Sequence, residues 1–225
     1  MNTMNPELLP RRRFLTCSFS TMFALSATQA YPAETHAEQR ECYELCTFYL
    51  ADETCQKRFS DYLEHALLPA LKRITDRPTG VFQNTNMQEN RCLTVVIPFS
   101  SLQDFGEWHE HLNADMAFQH AAKDYFIQTA KVPVWHRRES QLLQGLTGSP
   151  KLELPKGKTP HLFELRTYES PNQKLARLTV KMFNEGKLDE LMRQAGLAPV
   201  FFGERLIGNG PPSLTYLLSA ENEED

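Results

Sequence analysis

A carboxylate, a guanidinium and a phenol alternate along one short stretch, Glu164, Arg166 and Tyr168, separated by Leu165 and Thr167. In an extended strand, residues two apart share a face, so these three would stand together and leave Phe163, Leu165 and Thr167 on the other side. Convergent groups of this kind can orient a small polar or aromatic ligand, and they can equally form a structural ion pair, because a buried charge without a partner is costly. The same pattern occurs once more, at Tyr43-Glu44-Leu45-Cys46-Thr47-Phe48, which makes Glu44 the counterpart of Glu164.

The other reactive residue types point to less. Trp108-His109-Glu110-His111 places two histidines two apart on a helix, on different faces. His111 with Asp115 and His120 with Asp124 have the four-residue step of a helical metal site, but each pair supplies one imidazole and one carboxylate, too few ligands for a zinc centre. No metal is therefore expected. Cys42, Cys46, Cys55 and Cys92 do not have the spacing of paired zinc knuckles. They are free thiols or, in an oxidising compartment, one disulfide. Cys42 and Cys46 lie too far apart along one strand to bond to each other, so a bridge would take Cys92 as the partner of one of them. No glycine-rich phosphate loop, nucleophile elbow or Cys/His dyad is present, and Gly208-Asn209-Gly210-Pro211-Pro212 reads as a turn.

The elements that would position these residues follow a doubled plan. Phe163-Glu164-Leu165-Arg166-Thr167-Tyr168 overlays Tyr43-Glu44-Leu45-Cys46-Thr47-Phe48 at an offset of 120 residues (163 minus 43). At that offset Val81-Phe82 falls on Phe201-Phe202, and after a one-residue slip Leu93-Thr94-Val95-Val96 falls on Leu214-Thr215-Tyr216-Leu217. Three apolar segments in one order at nearly one offset indicate an internal repeat. Between the first two strands of each copy, apolar residues recur at helical steps: Phe59, Tyr62, Leu63, Ala66, Leu67, Leu71 and Ile74, then Leu175, Leu178, Met182, Phe183, Leu188, Leu191 and Met192. Pro69 removes a helical hydrogen bond and Gly186 aligns with Ala66, so a kink or break is expected at one place in both helices.

Copy one continues into a helical region from about Leu102 to Tyr125 and a strand from about Val132 to Leu143, giving the order βαββαβ. That is the ferredoxin-like α+β plait. Copy two reaches only its third strand. The expected organisation is residues 41–144 as the first unit, 145–160 as a linker and 161–225 as a second unit lacking its last helix and strand. That shortfall should expose Phe163 and Leu165 and leave one strand edge open, unless copy one or another chain covers them.

Residues 1–30 read as an export signal. Arg11-Arg12-Arg13 precede Phe14-Leu15 and a modestly apolar run, and Thr28-Gln29-Ala30 supplies the small residues of a cleavage site. The pattern resembles a bacterial twin-arginine signal, so the mature protein is expected in the periplasm or outside the cell. The run is shorter than the roughly 20 residues of a spanning helix, and no membrane association is expected after cleavage. The chain of 225 residues has a formal charge of -4, and removing Arg11, Arg12, Arg13 and Glu7 leaves about -6. This argues against a general nucleic-acid-binding surface.

Phe163 to Ser170, then Lys181-Met182-Phe183-Asn184-Glu185-Gly186, Pro199-Val200-Phe201-Phe202-Gly203-Glu204 and Leu214-Thr215-Tyr216, occur in one order. Through Leu162 to Leu217 the sequence resembles the NIPSNAP family, and copy one resembles it faintly through Tyr43-Glu44-Leu45. The resemblance implies a dimeric α/β-barrel, in which two ferredoxin-like sheets pack face to face, made here within one chain or between two. Glu164, Arg166, Tyr168 and Glu44 would then point into the space between the sheets as a ligand site. Relatives of that fold include small-molecule monooxygenases and haem-degrading enzymes, which makes His109, His111 or His120 a haem ligand by analogy only; no cofactor is expected. Fold does not fix function. Three readings stay open: an exported small-molecule binding or assembly module with itself as partner, a cofactor-light enzyme such as a monooxygenase on a small aromatic or hydrophobic compound, and a degenerate member without activity.

Overall fold

The computed structural model describes residues 39–86, 91–155 and 162–220; the expected export signal lies outside them. Strand β1 (Cys42–Leu50) is followed by helix α1 (Glu53–Tyr62), a π-helical turn (Leu63–Leu67) and α2 (Leu68–Ile74). Then come β2 (Gly80–Gln83), β3 (Cys92–Phe99), α3 (Leu102–Ala114), α4 (Met116–Thr129) and β4 (Trp135–Gly145). The second half runs β5 (Leu162–Glu169), α5 (Gln173–Glu185), α6 (Leu188–Gln194), β6 (Ala198–Ile207) and β7 (Ser213–Ala220).

The helices begin and break where local chemistry requires. Asp52 caps α1 by accepting from the Cys55 N–H at 2.7 Å, and Asn172 caps α5 by accepting from the Leu175 N–H at 3.0 Å. Pro69 has no N–H to offer the residue 65 carbonyl. The chain absorbs this one turn earlier by widening to a π turn, in which the Leu68 N–H reaches the Leu63 carbonyl. In the second half α5 ends at Gly186, and Lys187, at φ 48°, starts α6 in a new direction. The interruption expected in both helices is thus present by two different means. The helical region after β3 is two helices, because Asp115 turns out of the α3 spiral and its carboxylate caps α4 through the Ala117 and Phe118 N–H groups.

All strands join one antiparallel sheet in the order β2-β3-β1-β4-β6-β7-β5. The order β2-β3-β1 of the first half recurs as β6-β7-β5 in the second, and β4 pairs with β6 to make the sheet continuous. The sheet curls until its two ends meet: Phe82 on β2 and Phe163 on β5 stand edge to face with ring centroids 4.9 Å apart. Curling creates two kinds of face. Outside, α1 to α4 bury Phe59, Leu71, Trp108 and Phe118 against Cys42, Val95 and Ile97. A smaller outer core packs Phe183 and Met192 on Phe202, Leu214 and Tyr216. Inside, Tyr43, Leu45, Val96, Leu143, Phe201 and Leu217 form a core drawn from both halves.

This division corrects the expected strand faces. Phe163 belongs to the inner core, while Tyr168 meets Phe183 of α5 and Tyr216 on the outside, so the apolar set faces inward and the polar set outward. In an ordinary half-buried strand the apolar set meets the helices. Here the sheet packs apolar side chains on both faces, the helices on the convex side and the opposite half of the sheet on the concave side.

The same alternation excludes the proposed disulfides. Cys42 packs in the outer core and Cys46, two steps of two further along β1, shares its face. Cys92 lines the inner cavity with Thr94 and Val96. Lying on opposite faces of the sheet, Cys92 and either β1 cysteine cannot bond, and all four thiols are free. Beyond β4, the described part of the expected linker is tied down: the Glu41 N–H donates to the Pro150 carbonyl at 2.8 Å and the Glu153 N–H to the Val200 carbonyl at 2.8 Å. Among the described residues, no helix is long and apolar enough to cross a membrane.

Candidate ligand cleft

The inner face is not apolar throughout. Register places Thr47 opposite Thr94 and Thr167 opposite Thr215, and each pair hydrogen-bonds through its hydroxyls, at 3.1 and 3.0 Å. The two pairs occupy corresponding positions in the two halves. Each hydroxyl spends its bond on a neighbour of the same sheet and keeps acceptor capacity for a third group. Two cavities open beside Thr47, Thr94 and Thr167, adjoin at the hydrogen-bonded Thr47–Thr94 pair, and are taken together as the two ends of a candidate cleft.

One end of the cleft is polar and encloses about 270 Å³, lined by Thr47, Thr167, Glu139, Gln141, Glu169 and Arg205 among others. Arg205, almost wholly buried, donates from Nε to Ser213 Oγ at 2.6 Å and from Nη1 to the Asn209 carbonyl. Glu169 stands 3.8 Å from it. Glu139 accepts from the Tyr49 hydroxyl at 2.9 Å and is paired with Arg137, whose guanidinium lies 5.3 Å from the centre of the Tyr49 ring. Burial first, then the bond to Glu139, raises the Tyr49 phenol above its ordinary value, so it is a neutral donor at physiological pH. The other end, of about 320 Å³, is lined by Phe82, Val96, Phe163, Leu165 and Leu217 together with Gln83, Asn84, Cys92 and Thr94. The Thr47–Thr94 pair lies between the two ends, one hydroxyl lining each.

The residues expected to form the site lie elsewhere. Arg166 and Glu164 do pair, at 2.6 Å, but on the outer face, both about half exposed. The Glu164 carboxylate, followed by Tyr216, raises the Arg166 guanidinium, which is charged in any case. Tyr168 is exposed beside Tyr216, whose hydroxyl approaches its own at 3.4 Å. Glu44 is buried beneath the first-half helices; its Oε1 accepts from Arg138 at 2.9 Å, Ser140 at 2.8 Å and Cys46 at 3.2 Å. Its Oε2 is buried without a hydrogen-bond partner. Glu44 and the Glu164 group are therefore equivalent in position and separated in space, on strands with β4, β6 and β7 between them. Among the described residues, no three histidine, cysteine, aspartate or glutamate side chains are grouped to hold a metal.

Sequence reasoning missed Thr47, Thr94, Thr167, Thr215, Gln141, Glu139, Glu169 and Arg205. The available signal was the pair Thr47 and Thr167, the same residue type at the 120-residue offset and on the face opposite the glutamates.

No family model matches the chain, and no curated protein matches it. Among solved structures, a provisionally assigned monooxygenase from Fusobacterium nucleatum aligns over 83% of this chain and 78% of its own at 8% identity, with a TM-score of 0.54. Another provisionally assigned monooxygenase, from Lactobacillus acidophilus, aligns over 82% and 79% at 10% identity, with a TM-score of 0.51. A NIPSNAP family protein of unknown function from Agrobacterium tumefaciens aligns over 48% of this chain and 89% of its own at 17% identity, with a TM-score of 0.39. At these identities the two longer alignments carry one conclusion: the chain has the ferredoxin-like α/β-barrel fold.

Proposed function

We propose that the chain is an exported module of two NIPSNAP-type units in tandem, and that its cleft binds a small molecule with an apolar body and a polar head. The observation that carries this reading is the difference between two cavities that adjoin at the Thr47–Thr94 pair: hydroxyls, Arg205, Glu139 and Glu169 line one, and Phe82, Val96, Phe163, Leu165 and Leu217, with Gln83 and Asn84, line the other. Apolar side chains on one side and placed polar groups on the other can fix both the affinity and the orientation of such a molecule. The arginine-containing pattern of residues 11–15 supports export to the periplasm or beyond.

Native mass spectrometry of the protein purified after export tests the reading, because it reports signal removal, subunit count and retained ligand together. Leu165→Trp fills the apolar end from a position already 40% exposed, so the fold should tolerate it. The variant should lose the retained mass. Retention of the same ligand at the same occupancy would refute the cleft as its site.

Fold likeness to two provisionally assigned monooxygenases supports a second reading, a cofactor-light oxygenase acting on the same class of molecule. Oxygen uptake on adding the retained ligand, abolished by Leu165→Trp, is its test.

A further inference from the structure

The first helix of each half can be compared position by position. The caps Asp52 and Asn172 stand 120 residues apart (172 minus 52), so the repeat offset runs on through α1 and α5. On α1, Cys55 and Phe59 are buried, and α4 lays Tyr125 flat against Tyr62 with ring centroids 4.0 Å apart. Phe118 and Phe126 of α4 meet the same tyrosine at 6.4 and 6.0 Å. On α5 the counterparts of Cys55 and Tyr62 are Leu175 and Met182, 42% and 56% exposed. Leu178, 53% exposed, lies between them. Spaced by three and four residues, these form one apolar stripe along the helix rather than scattered single contacts with water.

We propose that this stripe is a two-fold interface between two copies of the chain, in which α5 of each takes on the other the place that α4 has on α1. Two features favour a second copy over an unrelated partner. First, what covers α1 is a helix with an apolar stripe, and α5 itself exposes one, so the surface is complementary to itself. Crossing near Leu178, an antiparallel pair sets Leu175 of one copy opposite Met182 of the other. Secondly, charge is distributed to suit that direction. Lys174 and Arg177 begin α5, where the helix dipole disfavours positive charge and no acidic residue of the first turn offsets it. Glu185 ends the helix, and its pairing with Lys181, at 3.8 Å between two well-exposed side chains, leaves it free to meet a second cation. In the antiparallel pair Lys174 of one copy stands opposite Phe183 of the other, with Glu185 about 3 Å further along the axis, within the reach of a lysine side chain. The stripe lies on the convex side of the sheet, away from both cavities, so it stands or fails independently of the ligand reading.

Sedimentation velocity of the protein purified after export should show a dimer at micromolar concentration. Leu178→Glu should weaken it about 100-fold with an unchanged circular dichroism spectrum, because two buried leucines become two facing carboxylates at positions exposed in the single chain. Lys174→Glu and Glu185→Lys should each weaken it about tenfold by setting like charges opposite one another. Both changes suit the helix dipole, so neither threatens α5. Combined in one chain they should restore the dimer. Standing 11 residues apart (185 minus 174), about 16 Å along one helix, the two cannot answer each other within a molecule. A monomer at every concentration, a dimer indifferent to Leu178→Glu, or a double variant no tighter than the single ones would overturn the proposal. A monomer in which amide exchange is slowed along the whole of α5 would give the stripe to another segment of the same chain and overturn it equally.

Discussion

Phe201→Ala tests whether the two halves share one core. Phe201 is fully buried, its ring centroid 4.8 Å from that of Tyr43, in a cluster that takes Tyr43, Leu45, Val96 and Leu143 from the first half and Leu217 from the second. Truncation removes a ring whose burial contributes about 1.5–3 kcal/mol and leaves a cavity the rigid sheet cannot close. Together these cost about 3–5 kcal/mol. For a domain of this size each kcal/mol lowers the melting temperature by about 2–4 °C, which gives roughly 6–20 °C. The assay exploits an asymmetry of composition. The two tryptophans of the chain, Trp108 and Trp135, both lie in the first half, and neither belongs to the inner core. If the barrel is one cooperative unit, the tryptophan-detected transition moves down with the circular dichroism transition although the substitution is in β6. A tryptophan transition left at the wild-type temperature would show that the halves unfold independently and would refute the shared core.

Arg138→Ala should destabilise by about 1–3 kcal/mol in urea titration, because it takes a charged partner from the buried Glu44 carboxylate, whereas Arg166→Ala, on an exposed pair, should change stability by less than about 0.5 kcal/mol. Burial raises the Cys42 thiol from 9.0 to about 11, so at pH 8 it should react with a disulfide reagent about 100-fold more slowly than a free thiol; reaction at the free rate would contradict its placement. The folded form holds that proton more tightly than the unfolded chain, so its contribution to stability is complete below about pH 9 and is lost as pH rises through about 11. Tyr125, raised by burial to about 12, acts in the same direction, and melting temperature against pH should fall on the alkaline side. Asn172→Ala removes the α5 cap and should cost about 1 kcal/mol, read from the same urea titrations.

Local chemistry was legible where one residue decides the outcome. Pro69 and Gly186 announced their interruptions because each lacks something a regular helix needs at that position. The split between α3 and α4 was not legible from apolar periodicity, since Asp115 breaks the spiral without changing the apolar spacing on either side. The candidate site was misplaced by one residue along β5. Alternation says which residues share a face and is silent on which face is enclosed.

By itself the sequence determined the strands, the alternation within them and the helix interruptions, because these depend on residues within a few positions of one another. The tertiary structure decided that β4 joins β6, that the sheet curls until Phe82 meets Phe163, and that the cavities lie on the concave side. Those outcomes depend on side chains far apart in sequence meeting in one core. They moved the candidate site from Glu164, Arg166 and Tyr168 to the threonines, Glu139, Glu169 and Arg205 of the opposite face.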